Sequence, residues 1–536
     1  MKAQLFNVWT AWGQFVLAGL LGATAMFVLN APSPAGSRGL LWPTFFARNT
    51  NVPFDERLWA AMGHEAWYLE YGYVQSPPTA QATFSTGTLG PTKTLATPAA
   101  ASVSAAGAYL PLVFHEYAAP TATLTPSHTP TATPTRPPPP SVEARALWIT
   151  RFDWTCILPC SLPGPDTVHQ MVDNAATAGF NMLLFQIRGN GDAYYTPGLE
   201  PWSSRLTGTY SATLGLNPGW DPLAVMIAEA HARGMQVHAY FNAYPAWLTD
   251  PGSSSPPPDN TAPLHPFWTW SRAPGSNWAY WRQWDTSHHP MNLARDSYLW
   301  ASPGNDWLVE NHIVATAIDI LSRYNVDGLH LDLVRYAGPN YSCDPRSEER
   351  WGGPCPTSIP DTSYADWQRA QVTRLVSRIY NEGVLPQGHR VMLSAAVWWF
   401  PQDVWGLGCN GGYDRYYQDA HGWLNAGIID AEMPMLYGCP AFADGAAGDS
   451  NWAMVTQDWL AHCADRFVFP GISADMSFSS IETRINSERA HAASVGAVAG
   501  HAIFCYSAVN ARGYWNAFAS GPYAQRAAAP TPGWHP

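Results

Sequence analysis

The stretch Gly328-Leu-His-Leu-Asp332 alternates apolar and polar residues, so a strand through it puts His330 and Asp332 on one face. An inward carboxylate there has to be solvated, paired or chemically active. Acting as nucleophile or base, Asp332 needs a second carboxyl group to deliver a proton. Asp192, which follows Arg188 across Gly189-Asn-Gly191, Glu432, Asp153 and Asp475 are the candidates. Each has a plain structural alternative. Asp332 could bridge to Arg188 or Arg335, Asp192 could pair with Arg188 across the turn, and Glu432 has the opposite strand parity to Met435 and Tyr437. In the catalytic reading, Arg188 and His330 are expected to keep Asp332 ionised, because a nearby cation lowers a carboxyl pKa. Gln186, Arg188, His238, Asn242, His330, Arg335, Tyr336, Trp398 and Tyr437 are the candidate ligand-binding side chains. His330 with Asp332 would hold a metal only if a third group joined, and no cluster has clear ligand spacing, so neither metal nor cofactor is expected.

These residues fall at the ends of short apolar runs that alternate with helical stretches. The runs are 144–152, 181–187, 236–242, 328–334, 391–398, 429–437, 467–473 and 502–507. Helices are expected over 166–178, 221–233, 306–324, 364–381, 416–425, 450–464, 479–494 and near 513–518. Asp221-Pro222 reads as an N-cap followed by a first-turn proline, and Gly179 and Gly234 as helix stops. Eight such alternations define a (β/α)8 TIM barrel over 142–526, with a Trp- and Pro-rich insertion at 245–303 after the third strand. In that fold the C-terminal ends of strands carry the site. Strand 1 delivers Arg151 and Asp153, strand 3 Tyr240 beside His238 and Asn242, and strand 5 Trp398 and Trp399. Loop aromatics such as Trp202, Trp268, Trp270, Trp278, Trp281, Trp398 and Trp399 are flat amphipathic surfaces suited to stacking on sugar rings.

Composition narrows the chemistry. The chain has 536 residues, 40 Asp+Glu against 28 Lys+Arg, and a net charge of -12, which argues against a nucleic-acid partner. Its lysines are Lys2 and Lys93, so the barrel region has no Schiff-base lysine and no P-loop. HExxH, GxSxG and CxxC are absent. All eight cysteines follow residue 150, as suits an oxidising compartment. Spacing and loop context pair Cys156 with Cys160, Cys343 with Cys355 and Cys409 with Cys439; Cys463 and Cys505 lie in apolar surroundings, as buried thiols would. Trp9 to Leu29 is apolar over about 20 residues, a signal anchor or signal peptide within 1–30. Region 31–75 has no assigned role, 76–141 is a Pro/Thr/Ala-rich extended linker, and 527–536 is a tail. An extracytoplasmic monomer, anchored by its N-terminal segment or secreted after its removal, is the expected arrangement.

The segments Phe185-Gln-Ile-Arg-Gly-Asn-Gly-Asp-Ala-Tyr-Tyr, Glu200-Pro-Trp-Ser, Leu206-Thr-Gly and Pro218-Gly-Trp-Asp-Pro-Leu resemble those of glycosyl hydrolase-like family 10, also called DUF187. So do His238-Ala-Tyr-Phe-Asn-Ala-Tyr and Asp327-Gly-Leu-His-Leu-Asp-Leu-Val-Arg-Tyr, and the likeness runs over about 142–520. It implies a TIM-barrel glycosidase acting on a polysaccharide, with cell-wall glycan strands a plausible substrate. The family's strand motifs fall on Gln186, Arg188 and Asp192, on His238 and Asn242, on His330, Asp332, Arg335 and Tyr336, and on Pro434 and Tyr437. Ala337, Asn190 and Glu432 depart from the residues the family usually has there. A non-catalytic glycan-binding module and a structural envelope protein are the rival readings, since a fold does not fix an activity.

Overall fold

The computed structural model describes residues 140–535, apart from 156–160, 209, 251–252, 277–278, 297 and 357–361. The expected N-terminal anchor, region 31–75, nearly all of the linker, the Cys156–Cys160 pair and Trp278 lie outside the described residues.

Eleven strands are described: β1 (Ala144–Ile149), β2 (Met182–Arg188), β3 (Gln236–Asn242), β4 (Pro245–Leu248), β5 (Tyr298–Trp300), β6 (Gly328–Asp332), β7 (Met392–Val397), β8 (Ala431–Pro434), β9 (Phe467–Val468), β10 (Gly471–Ser473) and β11 (Gly500–Phe504). Nine of them form one parallel sheet in the order β10-β11-β1-β2-β3-β6-β7-β8-β9. Its two ends, β9 and β10, are halves of a single run, separated by Phe469-Pro470. Proline has no N–H to give a ladder, so the strand breaks there. Pairing continues on both sides of the break: the Phe469 amide donates to Glu432 O at 2.8 Å and the Ala502 amide to Pro470 O at 3.1 Å. The sheet is thus a closed barrel of eight strand positions, the seventh of them kinked.

Helices cover its outside: α1 (Pro165–Ala178), α2 (Pro222–Ala232), α3 (Pro266–Ser271, in the insertion), α4 (Asn311–Arg323), α5 (Thr362–Arg378), α6 (Ala420–Ala426), α7 (Ala446–Ala461), α8 (Phe478–Val495) and α9 (Tyr506–Arg512). α4 shows why they dock. Ile313, Val314, Ala317, Ile320 and Leu321 recur at helical spacing and are all buried, each large side chain contributing about 1.5–3 kcal/mol. Asp221 caps α2 by accepting from the Ala224 amide at 3.0 Å, with Pro222 in the first turn. Gly179 ends α1 at φ 92°, where a Cβ would also lie 2.9 Å from that of Tyr523.

Three features bear on the site. The insertion after β3 folds back as an antiparallel hairpin, β4 with β5, enclosing α3. Disulfide Cys409–Cys439 joins the loops that follow β7 and β8, and Cys343–Cys355 closes a loop after β6, while Cys463 and Cys505 are free and buried. Residues 527–535, within the expected tail, pack on the barrel body. Ala528 bridges to Val142, and Trp534 Nε1 and His535 Nε2 each donate or bond to Asp430 Oδ1 at 2.7 Å.

Candidate active site

The register of β3 against β6 stacks the interior in levels: His238 opposite Gly328, Tyr240 opposite His330, Asn242 opposite Asp332. Strand alternation turns all six positions inward, so position along the strand decides which reach the C-terminal mouth. Asp332 ends β6 at the top level and is 1% exposed. The Tyr240 hydroxyl donates to its Oδ2, and the amide of Leu333 donates to its Oδ1 at 2.6 Å. Leu333 has φ 50°, a left-handed conformation that a branched residue adopts only when its surroundings demand it. The strand therefore ends in a sharp turn that wraps the next amide onto the carboxylate.

Asn242 stands level with Asp332. Its Oδ1 accepts from Gln186 Nε2 at 3.1 Å, and Gln186 Oε1 accepts from the Arg151 amide at 2.7 Å. That chain leaves Asn242 Nδ2 as a buried donor without a partner among the described residues. Tyr437 comes in from the loop after β8. Its ring stacks on Phe504 at 4.9 Å and covers Gly471, where a Cβ would lie 2.4 Å from the ring. Burial, then the charge of Asp332, push its phenol well above the ordinary value, so it remains a neutral donor.

His330 and His238 sit below this level. Trp148 Nε1–H donates to His330 Nε2 at 2.9 Å, so the ring proton is on Nδ1, which faces Ser394 Oγ at 2.9 Å. Burial, then His238, hold His330 well below its usual pKa. It is a neutral packing element beneath the carboxylate, and the expectation that it supplies positive charge to Asp332 is corrected. His238 is likewise neutral, lowered to about 4 by burial, and packs where any Cβ at position 328 would lie 2.3 Å from its Nδ1. It lies too deep to touch a ligand at the mouth.

Arg188 also departs from expectation, for a reason hidden from periodicity. β2 bulges between Gln186 and Arg188: Gln186 pairs with inward Tyr240, but Arg188 pairs with outward Phe241. One extra residue turns the side chain to the other face. Arg188 therefore meets neither Asp332 nor Asp192. It forms a buried two-pronged pair with Glu200, at 2.8 and 2.7 Å, which also contacts His312 Nε2 at 2.9 Å. Burial alone would raise Glu200, yet Arg188 and His312 hold it down to about 2. Arg188 Nη1 donates onward to the carbonyls of Asn242 and Ala243, and the Ala243 amide donates to Asp332 O at 2.8 Å. This triad fixes the top of β3 beside Asp332. Glu200 lay in a recognisable motif, but nothing in the spacing linked it to Arg188 or His312.

Glu432 pairs with Ala395, the parity opposite to inward Ser394, and faces the helix layer. Both its oxygens are buried without partners among the described residues, and burial, then Asp419, push its pKa well above the usual range. This places it off the mouth and corrects its candidacy as a second catalytic acid. Asp192 stays on the mouth side, in the turn after β2. Its Oδ1 accepts from the Asn190 amide at 2.7 Å, and its Oδ2 takes no hydrogen bond among the described residues. His265 of the insertion holds this turn, with Nε2 3.1 Å from Asn190 O and its ring against Gly191. Asp153 is absorbed in local structure, accepting from the Thr150 amide at 2.5 Å and the Ser507 amide at 3.0 Å. Asp475 lies in a turn after β10, its amide donating to Ser473 Oγ at 3.1 Å.

Arg335 occupies an aromatic box, 5.1 Å from the ring centres of Trp300 and Trp398 and 4.9 Å from that of Tyr416. Trp398 is only 2% exposed, and Trp202, Trp270, Trp281 and Trp399 are also buried. The expectation that these rings form open stacking platforms is corrected: they pack the loops that shape the mouth. Tyr336 packs edge-on to Tyr417 at 5.2 Å and is fully buried.

A closed parallel barrel with an inward carboxylate at the top of β6 has the layout of a TIM-barrel enzyme. The chain belongs to the glycosyl hydrolase-like 10 family, whose model matches residues 143–457. It is 29% identical over 319 residues to the glycosyl hydrolase DigH of Escherichia coli O6:H1, covering 55% of this chain and 66% of that protein, just under two thirds. It is 29% identical over 341 residues to the glycosyl hydrolase YngK of Bacillus subtilis, covering 60% of this chain and 58% of that protein. Among solved structures it is similar to α-L-fucosidase isoenzyme 2 from Paenibacillus thiaminolyticus, with 12% identity and a TM-score of 0.43 over 72% of this chain and 49% of that one.

Proposed function

We propose that this protein is an exported glycoside hydrolase that cleaves a polysaccharide, with cell-wall glycan strands as the leading substrate, and that its N-terminal segment tethers it outside the cytoplasm. Asp332 carries this reading: a buried carboxylate at the C-terminal end of a barrel strand, held from both oxygens, in a chain of a glycosyl hydrolase-like family. Asp332 attacks the anomeric carbon, or removes the proton from the water that does. Asp192 delivers a proton to the departing glycosidic oxygen, so the leaving sugar departs as a neutral alcohol. Asp192 is preferred because the alternatives are committed elsewhere: Glu200 is ion-paired, Asp153 bonds backbone amides, and Glu432 faces the helices. Asn242 Nδ2, buried without a partner among the described residues, is a donor available to a sugar oxygen beside Asp332, and the neutral Tyr437 phenol lies close enough to feel the charge of Asp332.

Two disulfides in the loops of the mouth accord with an oxidising, extracytoplasmic setting. The burial of Trp202, Trp270, Trp281, Trp398 and Trp399 weighs against a purely carbohydrate-binding surface, which needs its rings exposed. The test is mass spectrometry of soluble products after the full chain is incubated with peptidoglycan, with glycan strands stripped of peptide, and with α- and β-glucans. Fragments from glycan strands support the reading. Fragments from a glucan alone would replace the substrate, and glycan binding without fragments from any of them would favour the binding module.

A further inference from the structure

The helix layer holds a cluster that the proposed hydrolysis does not use. His421 lies in the first turn of α6; Asp458 lies near the end of α7, and His462 caps that helix four residues later. Spacing of i and i+4 brings Asp458 and His462 to one face. One donor atom from each of the three lies within 4.8 Å of the other two. The His421 and His462 rings stack with centres 4.6 Å apart. A carbonyl can only accept, so the 2.8 Å contact of His462 Nδ1 with Asp458 O puts the proton on Nδ1 and leaves the Nε2 lone pair available. Metal-ligating histidines are commonly oriented this way, through their other nitrogen. His421 Nε2 is buried and has no partner among the described residues. A buried polar nitrogen left in that state costs free energy unless something binds it.

We propose that His421, Asp458 and His462 form a binding site for a divalent transition metal of the zinc class. Two imidazole nitrogens and one carboxylate oxygen suit Zn2+ better than Mg2+ or Ca2+, which favour all-oxygen sets. A tetrahedral ion at its usual bond lengths of about 2.0–2.1 Å needs donors roughly 3.3 Å apart. The cluster therefore has to contract and the two rings have to splay. His462 and Asp458, with side chains 48% and 30% exposed, have the freedom to do this around a His421 already fixed against Trp459 at 4.5 Å. A water would complete the shell. Bound metal would clamp α6 to α7. Trp459 Nε1 donates to Trp399 O at 2.8 Å, so the clamp would reach the segment after β7 that carries Trp398.

Sequence spacing hid this cluster because His421 comes from a different helix than the other two residues. The test is titration of the chelator-stripped full chain with Co2+ and Zn2+, followed by visible absorption, calorimetry and thermal midpoint. The expected result is one Co2+ with tetrahedral absorption bands, displaced by Zn2+, and a higher midpoint with metal. Both effects should be lost in His421→Ala and in His462→Ala, the latter at a side chain 48% exposed. No binding by the parent protein, or equal binding by parent and both variants, would overturn the site.

Discussion

Replacing Glu200 with Gln keeps the side chain's shape and removes the negative charge between Arg188 and His312. Glu200 and Arg188 are both 0% exposed, so the arginine is left as a buried cation without its counter-ion. Breaking such a pair from one side costs about 3–5 kcal/mol. The acid limb gives an independent figure. The folded-state pKa, about 2, lies below the unfolded value near 4.5, so the contribution is complete above the unfolded value and is lost as pH falls towards the folded one. The difference amounts to about 3 kcal/mol at pH 7 and about 1 kcal/mol at pH 3. For a domain of about 390 residues, 3–5 kcal/mol corresponds to a fall of roughly 4–6 °C in thermal midpoint. The assay is urea unfolding of parent and Glu200→Gln at both pH values, with thermal scans at pH 7. The stability gap should be widest at pH 7 and shrink to less than half at pH 3. A gap below about 0.5 kcal/mol at pH 7, or one that does not shrink on acidification, would refute the assignment of Glu200 as the ionised anchor of Arg188.

Tyr240→Phe removes the hydroxyl bonded to Asp332; a hydrogen bond to a charged group is worth about 1.5–3 kcal/mol, so the acid limb of the kcat/KM pH profile should move up by about 1–2 pH units. An unmoved limb would contradict that contact. Glu432→Leu should leave activity intact and raise stability at pH 7, because the folded-state value of Glu432 lies above its unfolded one and the carboxyl is favoured only when protonated; the gain should fade on acidification towards the unfolded value, as urea midpoints can check. Deleting 527–536 should lower stability by a few kcal/mol, about 1–3 for each lost partner of buried Asp430, and a truncated chain as stable as the parent would show the tail to be dispensable.

The eight strand positions were legible because each is a short apolar run bounded by turn residues, and a parallel barrel buries both faces of every strand. Asp332 was legible for the converse reason, as a charge that interrupts such a run. Arg188 was misread because period-two alternation cannot register the bulge after Gln186. His330 was misread because its protonation depends on Trp148 and Ser394, far away in sequence. Trp398 carries no mark of burial in its own segment; Arg335 and Tyr416 cover it. The attachment of the tail was not legible because its partner, Asp430, lies about a hundred residues upstream. Strand order is written in local periodicity, while the polarity of the site depends on pairs that only the closed barrel brings together.

The most direct test is the steady-state rate of Asp332→Asn on whichever glycan the parent protein cleaves, with circular dichroism and thermal midpoint to confirm an intact barrel. The expected result is a folded protein whose kcat/KM falls by about 10³-fold or more, as follows from loss of an essential catalytic carboxylate. A folded variant within about tenfold of the parent would contradict it and move the chemistry away from the top of β6.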